Sequence, residues 1–319
     1  MTDVITLGEL LIDFTPYGKS EHGQPLFERN PGGAPANVVA AIARLGRTSG
    51  FIGKVGQDAF GHGLRDALAS SGVDTTGLVM SATANTTLAF VHLAEDGDRS
   101  FSFYRNPGAD QLLTVDEVPF VRIAAAKVFH FGSISMTDEP VRSATLAAVQ
   151  HAKQHGVLVS FDPNLRPALW ASEALAKELI GVGLGLADVV KVSEEELEFL
   201  TGTVDLEAGS KLLCDQFKIQ LLLVTRGGAG SFYRAGSRIG EHVGFAVQAI
   251  DTTGAGDAFM AGAIYSILQA GQSITAWSPD QLDSLLTFAN AMGALATTRK
   301  GGIPAMPTLA EVEGLIQSK

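Results

Sequence analysis

One short stretch near the C-terminus, DTTGAGDAF at 251–259, brings a run of small residues up to an acid. Gly254, Ala255 and Gly256 stand directly before Asp257, and a helical run follows them. Backbone amides at a glycine-rich helix start point the same way, and the helix dipole adds partial positive charge there. The turn is therefore suited to a phosphate or to a developing oxyanion.

Phosphate binding alone does not explain Asp257, because a carboxylate repels an anionic ligand. The residue is explained if it takes a proton from a hydroxyl that attacks a phosphoryl group, while the amides stabilise the transferring charge. The alternative is that Asp257 is only a helix cap. Neither GxxxxGK[ST] nor GxGxxG occurs in the chain, which argues against a P-loop protein and against a typical dinucleotide-binding dehydrogenase.

A second glycine pair, Gly32 and Gly33, precedes a run with a helical period. Asn37 falls on the first turn of that helix, where its amide offers a donor and an acceptor to a hydroxyl. Glycine lets a ligand approach the backbone closely, although a plain helix-start turn also explains the pair. Asp13 follows the first strand, where open α/β sheets bind ligands; an exposed loop carboxylate is its alternative.

An arginine follows another strand in FDPNLRPALW (161–170), where Asp162 and Asn164 precede Arg166. The two prolines of this stretch restrict the loop, and the guanidinium suits a phosphate or a sugar acid. A structural salt bridge is the competing interpretation.

Two other stretches carry weaker signals. Thr225, Gly227 and Gly230 follow a strand and suit the close approach of a nucleotide, but they suit a hairpin equally. The run SEEE at 193–196 opens a helix, where the dipole favours acids in any case. The sequence alone therefore gives little support to a metal role for Glu196.

Short apolar runs alternate with longer helical segments along the chain. Strands are predicted at 4–9, 48–56, 126–133, 156–163, 187–193, 220–227 and 245–250, and helices at 33–46, 60–72, 141–156, 194–202 and 258–271. Buried strands separated by helices predict an α/β fold with a mostly parallel central sheet covered on both faces.

Two segments, 10–30 and about 86–110, break this alternation. The second carries EDGD at 95–98, which predicts a hairpin with a tight turn. Together the segments predict a small antiparallel sheet that forms a lid over a site or a dimer contact, with a surface excursion as the alternative. No repeat or linker divides the chain, so one domain over 1–319 with this lid is expected.

Composition excludes several classes of partner. The 23 basic and 34 acidic residues give a net charge of −11, which disfavours binding to nucleic acid or to an anionic membrane. Cys214 is the single cysteine and cannot form an internal disulfide. The sequence has neither a secretory signal pattern nor an apolar run of membrane-spanning length, so a cytoplasmic location is expected.

Taken together, these motifs resemble the ribokinase/PfkB family of carbohydrate kinases over nearly the whole chain. GGAPANV and DTTGAGDAF are similar to the two family signatures. The stretches FIGKVGQDAFG (51–61), HFGSIS (130–135) and FANAMGALATTRKGGIPAMPT (288–308) are most similar to the fructokinase branch. Many family members have Asn-x-x-Glu where this chain has Ser193 before Glu196, a change that also favours that branch.

The resemblance implies a ribokinase-like, Rossmann-type α/β body with a β-sheet lid that often mediates homodimers. It further implies transfer of the ATP γ-phosphate to a sugar hydroxyl with Mg²⁺. Asp257 would be the base, and the amides of Gly254, Ala255 and Gly256 would form the anion hole. The sugar and phosphoryl side would comprise Asp13, Gly32, Gly33, Asn37, Phe103, Arg105 and Arg166.

On the nucleotide side, the resemblance implies Thr225, Gly227, Gly230, Gly254, Gly256 and Asn290. Glu196 would organise Mg²⁺ through water. Asp251 and Thr253 fall where several members bind a monovalent cation such as K⁺. The activity implied is conversion of D-fructose to D-fructose 6-phosphate.

Other activities compete with that one. The nearest alternative within the family is a 2-keto-3-deoxygluconate kinase, because Arg105 and Arg166 are both suited to a carboxylate. A ribose kinase or another ketose kinase is a further alternative within the family. A non-catalytic sugar- or nucleotide-binding regulator is the alternative from another class. The presence of Asp257 argues against the regulator, because binding alone needs no base.

Overall fold

A nine-stranded sheet forms the centre of the computed structural model, which describes residues 2–93 and 99–318. Seven of its strands run parallel, and the last two pair antiparallel at one edge. In spatial order the strands are β13 (Arg238–His242), β12 (Ser231–Ala235), β11 (Leu221–Thr225), β10 (Val189–Ser193), β9 (Leu158–Asp162), β8 (Val128–Gly132), β1 (Val4–Leu7), β4 (Ser49–Gly56) and β5 (Asp74–Ser81). The predicted mostly parallel sheet is confirmed.

Ten helices surround this sheet in the described part of the chain. They are α1 (Ala34–Arg44), α2 (Ala59–Ser70), α3 (Phe120–Ala124), α4 (Val141–Gln154), α5 (Glu173–Leu186), α6 (Glu194–Thr201), α7 (Leu206–Phe217), α8 (Ala255–Ala270), α9 (Pro279–Ala296) and α10 (Leu309–Gln317). The apolar cores include helices α3 to α7 on one face and α1, α8, α9 and α10 on the other.

Alternate residues of the central strands enter opposite cores, as the period of two in a strand requires. In β11, Leu222 packs on the α3–α7 side, while Leu221 and Leu223 pack on the α8–α9 side. Both faces are therefore buried, which explains why these strands read as continuous apolar runs.

A separate four-stranded sheet is built from the two segments that break the α/β alternation. Its order is β3 (Pro25–Gly32), β2 (Leu11–Lys19), β6 (Leu88–Leu93) and β7 (Arg99–Tyr104). Strands β2 and β6 pair in parallel, so the sheet is mixed and the prediction of an antiparallel sheet was wrong in this respect. The predicted turn at 95–98 lies outside the described residues.

One other prediction needs correction. The segment 245–250 was predicted as a strand, but it forms none and is partly exposed. The stretch from β11 to β12 is a hairpin, which was one of the two interpretations left open for it. Within the described part of the chain, no helix combines the length and apolar character that a membrane crossing needs.

The parallel strands direct their carboxyl ends toward one edge of the sheet. Glu9 follows β1, Asn164 and Arg166 follow β9, and Thr225 ends β11. The N-terminus of α8 opens at the same edge, because residues from these strand ends and from that helix start line shared cavities. Ligand sites in open α/β sheets form in this position.

Candidate active site at the N-terminus of α8

Two cavities meet at the N-terminus of α8. The first, of about 330 Å³, is lined by polar residues that include Asp13, Asn37 and Asp257, and we call it the polar cavity. The second, of about 420 Å³, is lined by several glycines, and we call it the glycine-rich cavity. Thr252 and Gly256 line both. The helix start is therefore positioned to act on two ligands at once.

The two glycines at the start of α8 have little room for a side chain. Gly254 has a left-handed φ of 75°, and a Cβ there would lie 2.8 Å from the Met306 side chain. A Cβ on Gly256 would lie 2.9 Å from Lys191 Nζ. The first-turn amides of a helix have no intrahelical acceptor, but the amide of Ala255 donates to the Thr252 carbonyl at 3.3 Å. The amides of Gly254 and Gly256 are therefore better candidates for anion binding than that of Ala255.

Asp257 is held from both sides by amide side chains. Its Oδ2 accepts a hydrogen bond from Asn37 Nδ2 at 2.7 Å, and its Oδ1 accepts one from Asn164 Nδ2 at 3.1 Å. Asn164 adopts a left-handed φ of 48°, and Asp257 is buried. Asn37 Oδ1 is buried without a hydrogen-bond partner among the described residues. The carboxylate is thus fixed in orientation by two amide side chains.

Two carboxyl groups line the polar cavity, that of Glu9, which is buried, and that of Asp13, which is half-buried. Burial raises the pKa of Asp13 to about 7, although Arg166 opposes the shift. Burial likewise raises the pKa of Glu9 to about 7, and its Oε1 accepts the Ala34 amide of α1 at 2.8 Å. Gly33 lines the same cavity, and its Cβ position would lie 2.4 Å from the Glu9 carbonyl. Glu9 was missed in the sequence, where it is one acid within an apolar stretch.

Gly32 lies against Asp13 instead of lining a cavity. A Cβ on this glycine would lie 2.2 Å from Asp13 Oδ2, so a side chain would displace that carboxylate. Gly32 therefore affects the polar cavity through the position of Asp13.

Arg166 lines the polar cavity from the loop after β9, and Phe103 lines it from the small sheet. The Pro163 carbonyl accepts a hydrogen bond from the Ser133 hydroxyl, and the Leu165 amide donates one to Glu196 Oε1 at 2.7 Å. These anchors hold the segment that carries Arg166. A guanidinium in this position can neutralise an anionic group close to Asp257.

Arg105 does not reach the polar cavity, in contrast to the prediction. Its Nε donates to Asp110 Oδ2 at 2.7 Å, its Nη1 to Thr137 Oγ1 at 3.0 Å, and its Nη2 to the Ile134 carbonyl at 3.2 Å. The side chain is buried behind the cavity wall. The physical reason is the neighbouring Asp110, which captures the guanidinium.

The glycine-rich cavity brings together the residues predicted on the nucleotide side. Thr225, Gly227, Gly230 and Asn290 all line it. Gly230 has a φ of 101°, and a Cβ there would lie 2.0 Å from the His242 carbonyl. Asn290 donates to Ser231 Oγ at 2.8 Å and is buried.

The predicted cation residues lie around these cavities. Glu196 caps α6: its Oε2 accepts the Ser193 amide at 2.8 Å, while its Oε1 binds the loop after β9. Asp251 Oδ1 accepts from the amide and the hydroxyl of Thr253, at 3.0 and 2.7 Å. Among the residues that the structure describes, no group of three or more His, Cys, Asp or Glu side chains could hold a metal.

A family model for pfkB family carbohydrate kinases matches residues 1–309 of this sequence. The match covers the residues of both cavities and the whole central sheet. The chain belongs to the pfkB family of carbohydrate kinases. It is therefore a carbohydrate kinase, as the motifs of the sequence predict.

Individual pfkB relatives are similar along nearly their full length. Fructokinase-1 of Zea mays is 48% identical over 316 residues, which cover 98% of this chain and 97% of that protein. A fructokinase from Xylella fastidiosa, solved with bound ATP, has a TM-score of 0.91 at 42% identity, with 100% and 99% of the two chains covered.

A second solved structure is a fructokinase double mutant from Vibrio cholerae O395 with fructose, ADP and potassium ion bound. Its TM-score is 0.89 at 38% identity, with 99% of this chain and 98% of that chain covered. The predicted ribokinase-like fold class, with its separate small sheet, is confirmed by these likenesses.

One buried ion pair beside the start of α8 was missed in the sequence. Lys191 Nζ contacts both carboxylate oxygens of Asp162, at 3.0 and 2.8 Å, with both side chains almost fully buried. Burial lowers the pKa of Lys191, but Asp162, Glu196 and Asp257 outweigh that effect and raise it. The ammonium is therefore a fixed positive charge against the backbone of Gly256.

Proposed function

We propose that this carbohydrate kinase transfers the γ-phosphoryl group of ATP to D-fructose and forms D-fructose 6-phosphate. The observation that carries the proposal is the junction of the two cavities at α8, where Asp257 lies beside the shared Gly256. The likeness to fructokinases over nearly the whole chain supports fructose as the acceptor.

In this proposal the polar cavity binds the sugar. Asp13 accepts a hydrogen bond from a sugar hydroxyl, Asn37 lines the cavity beside Asp257, and Phe103 packs on the apolar side of the sugar. Gly33 lines this cavity, and a side chain there would displace the Glu9 backbone, because its Cβ would lie 2.4 Å from the Glu9 carbonyl oxygen. The reacting hydroxyl faces Asp257.

Asp257 would act as the general base. Its two oxygens are fixed by Asn37 and Asn164, so one of them can take the hydroxyl proton as the oxygen attacks the γ-phosphorus. The bond from that phosphorus to the leaving phosphate oxygen breaks, and ADP departs. The amides at the start of α8 and the guanidinium of Arg166 would stabilise the charge on the transferring group.

ATP would occupy the glycine-rich cavity, where Thr225, Gly227 and Gly230 allow close approach and Asn290 offers a polar contact. Glu196 would hold Mg²⁺ through water; each of its oxygens accepts one amide and keeps a lone pair for that purpose. Bound Mg²⁺ supplies charge neutralisation to the phosphates.

A monovalent cation and a second copy of the chain complete the proposal. Asp251 and Thr253 supply oxygen donors for K⁺, which is bound in the fructokinase from Vibrio cholerae O395. Tyr17 and Tyr104 of the small sheet are 62% and 68% exposed, which supports a homodimer through that sheet. Sedimentation velocity and a titration with KCl would test these two points.

The charges of the polar cavity favour a neutral sugar over a sugar acid. Among the described residues that line it, Glu9, Asp13 and Asp257 are acidic and Arg166 is the single cation. A carboxylate on the substrate would be repelled by the acids and would compete with the phosphoryl group for Arg166.

Turnover on a panel of sugars and sugar acids, with ATP and Mg²⁺, tests the proposed activity. We expect the highest kcat/KM with fructose and a much lower value with 2-keto-3-deoxygluconate. Efficient turnover of the acid with negligible turnover of fructose would contradict the proposal.

A further inference from the structure

A full positive charge lies directly behind the wall of the polar cavity. Phe103 and Ile134 line the cavity. Arg105 lies two residues after Phe103 in the sequence, and its Nη2 donates a hydrogen bond to the Ile134 carbonyl at 3.2 Å. The Arg105 side chain is only 3% exposed. A guanidinium stays protonated in proteins, so this charge is permanent and is separated from the cavity by one layer of residues.

Asp110 holds this charge in place. Its Oδ2 accepts from Arg105 Nε at 2.7 Å, its Oδ1 accepts from Thr87 Oγ1, and its side chain is 4% exposed. If Arg105 turned toward the cavity, a buried carboxylate would lose its charged partner, which is strongly unfavourable. The arrangement therefore opposes any movement of the guanidinium toward the substrate.

Glu9 connects this buried pair to the cavity electrostatically. It lines the cavity, and both Arg105 and Asp110 are close enough to act on its carboxyl group. The opposite charges of the pair largely cancel at that distance. With Asp110 in place, the electrostatic potential in the cavity is set by the charged residues that line it, and Arg105 contributes little to it.

We propose that Asp110 is a positioning residue that determines substrate specificity. Asp110 holds Arg105 behind the cavity wall, so Arg105 cannot pair with the carboxylate of a sugar acid in the cavity. The cavity therefore remains selective for neutral sugars. This inference rests on the proposed function, because it assumes that the polar cavity binds the sugar.

The test compares two substrates, D-fructose and 2-keto-3-deoxygluconate, on the full-length enzyme and on Asp110→Asn. The substitution keeps the shape of the side chain and removes its charge. We expect kcat/KM for the acid, relative to fructose, to rise about 10- to 100-fold, the range of one charge-assisted hydrogen bond. A change in this ratio cannot come from a loss of stability alone, since both substrates use the same enzyme.

Two further variants serve as controls. Asp138→Asn removes an exposed carboxylate near Arg105, which lies 3.5 Å from Nη1 and is 45% exposed. It should leave the ratio within about twofold of the wild type, as expected for an exposed pair. The double variant Arg105→Gln/Asp110→Asn has the wild-type net charge and no cation to release, so it should lose the gain shown by Asp110→Asn.

The outcomes separate the two proposals. A folded Asp110→Asn with an unchanged ratio, or a double variant that keeps the gain, would overturn the role of Asp110. If Asp110→Asn does not fold, the test rests on the double variant Arg105→Gln/Asp110→Asn. Fructose turnover in that variant supports the inference, and loss of fructose binding by the folded double variant overturns it. A wild-type enzyme that prefers the acid would instead overturn the proposed function.

Discussion

Replacing Lys191 by methionine tests the buried electrostatics beneath the active site. Lys191 and Asp162 are 5% and 1% exposed and contact each other through both carboxylate oxygens. Methionine fills similar volume without charge, so Asp162 remains buried beside Glu196 and Asp257 without its cation. We expect Lys191→Met to lower the free energy of unfolding by about 3–5 kcal/mol, as when one partner of a buried pair is removed.

The measurement is urea unfolding, with the free energy of unfolding taken from curves that share one slope. The double variant Lys191→Met/Asp162→Asn should recover much of the loss, because no unpaired charge remains. Lys127→Met is the matched control, since Lys127 pairs with Asp3 but is 52% exposed. That control should cost about 1 kcal/mol or less.

A loss of about 1 kcal/mol or less in Lys191→Met, equal to that of the surface control, would refute the reasoning. So would a double variant that is less stable than Lys191→Met. Either result would mean that the pair makes no net contribution to the conformation of the α8 N-terminus. We also expect phosphoryl transfer to fall in Lys191→Met, because Nζ lies next to the position a Gly256 Cβ would occupy.

Two more predictions concern the walls of the cavities. Gly230→Ala should lower the free energy of unfolding by about 1–3 kcal/mol and raise the KM for ATP, because the new Cβ would lie 2.0 Å from the His242 carbonyl oxygen. Gly228→Ala is the control, since its Cβ would have no described atom within 4 Å. Its free energy of unfolding should stay within about 0.5 kcal/mol of the wild-type value in the same urea assay. Burial raises the pKa of Asp13 from 3.8 to about 7, so the folded chain keeps a proton that the unfolded chain releases. The free energy of unfolding should therefore contain a component that falls as pH rises through this window. Asp13→Asn should remove that component, and an identical pH profile in the variant would contradict the assignment.

Much of the fold followed from local pattern. The central strands are buried on both faces, so their apolar runs were visible in the sequence, and the glycines before Asp257 indicated a helix start with special geometry. The strand prediction at 245–250 was wrong because a short apolar run such as FAVQAI does not reveal whether a partner strand is present. The parallel pairing of β2 with β6 depends on a contact between distant segments, which local pattern does not encode.

The sequence indicates which residues line a cavity when their side chains have no competing partner nearby. It is less informative when a neighbouring acid can pair with a basic side chain. Asp257, Asn37 and Arg166 line one cavity as expected. Arg105 does not, because Asp110 captures its guanidinium, and no spacing rule ranks one acceptor above another. Lys191 was missed because one lysine within the strand ADVVKVS gives no sign that its ammonium pairs with an acid on the neighbouring strand.

The most direct test of the account is single-turnover phosphoryl transfer by Asp257→Asn. The variant keeps the side-chain shape between Asn37 and Asn164 but removes the proton acceptor. We predict normal unfolding and ATP binding, with the transfer rate lowered about 10²–10⁴-fold or more. A transfer rate near that of the wild type would contradict the proposal that Asp257 prepares the attacking hydroxyl.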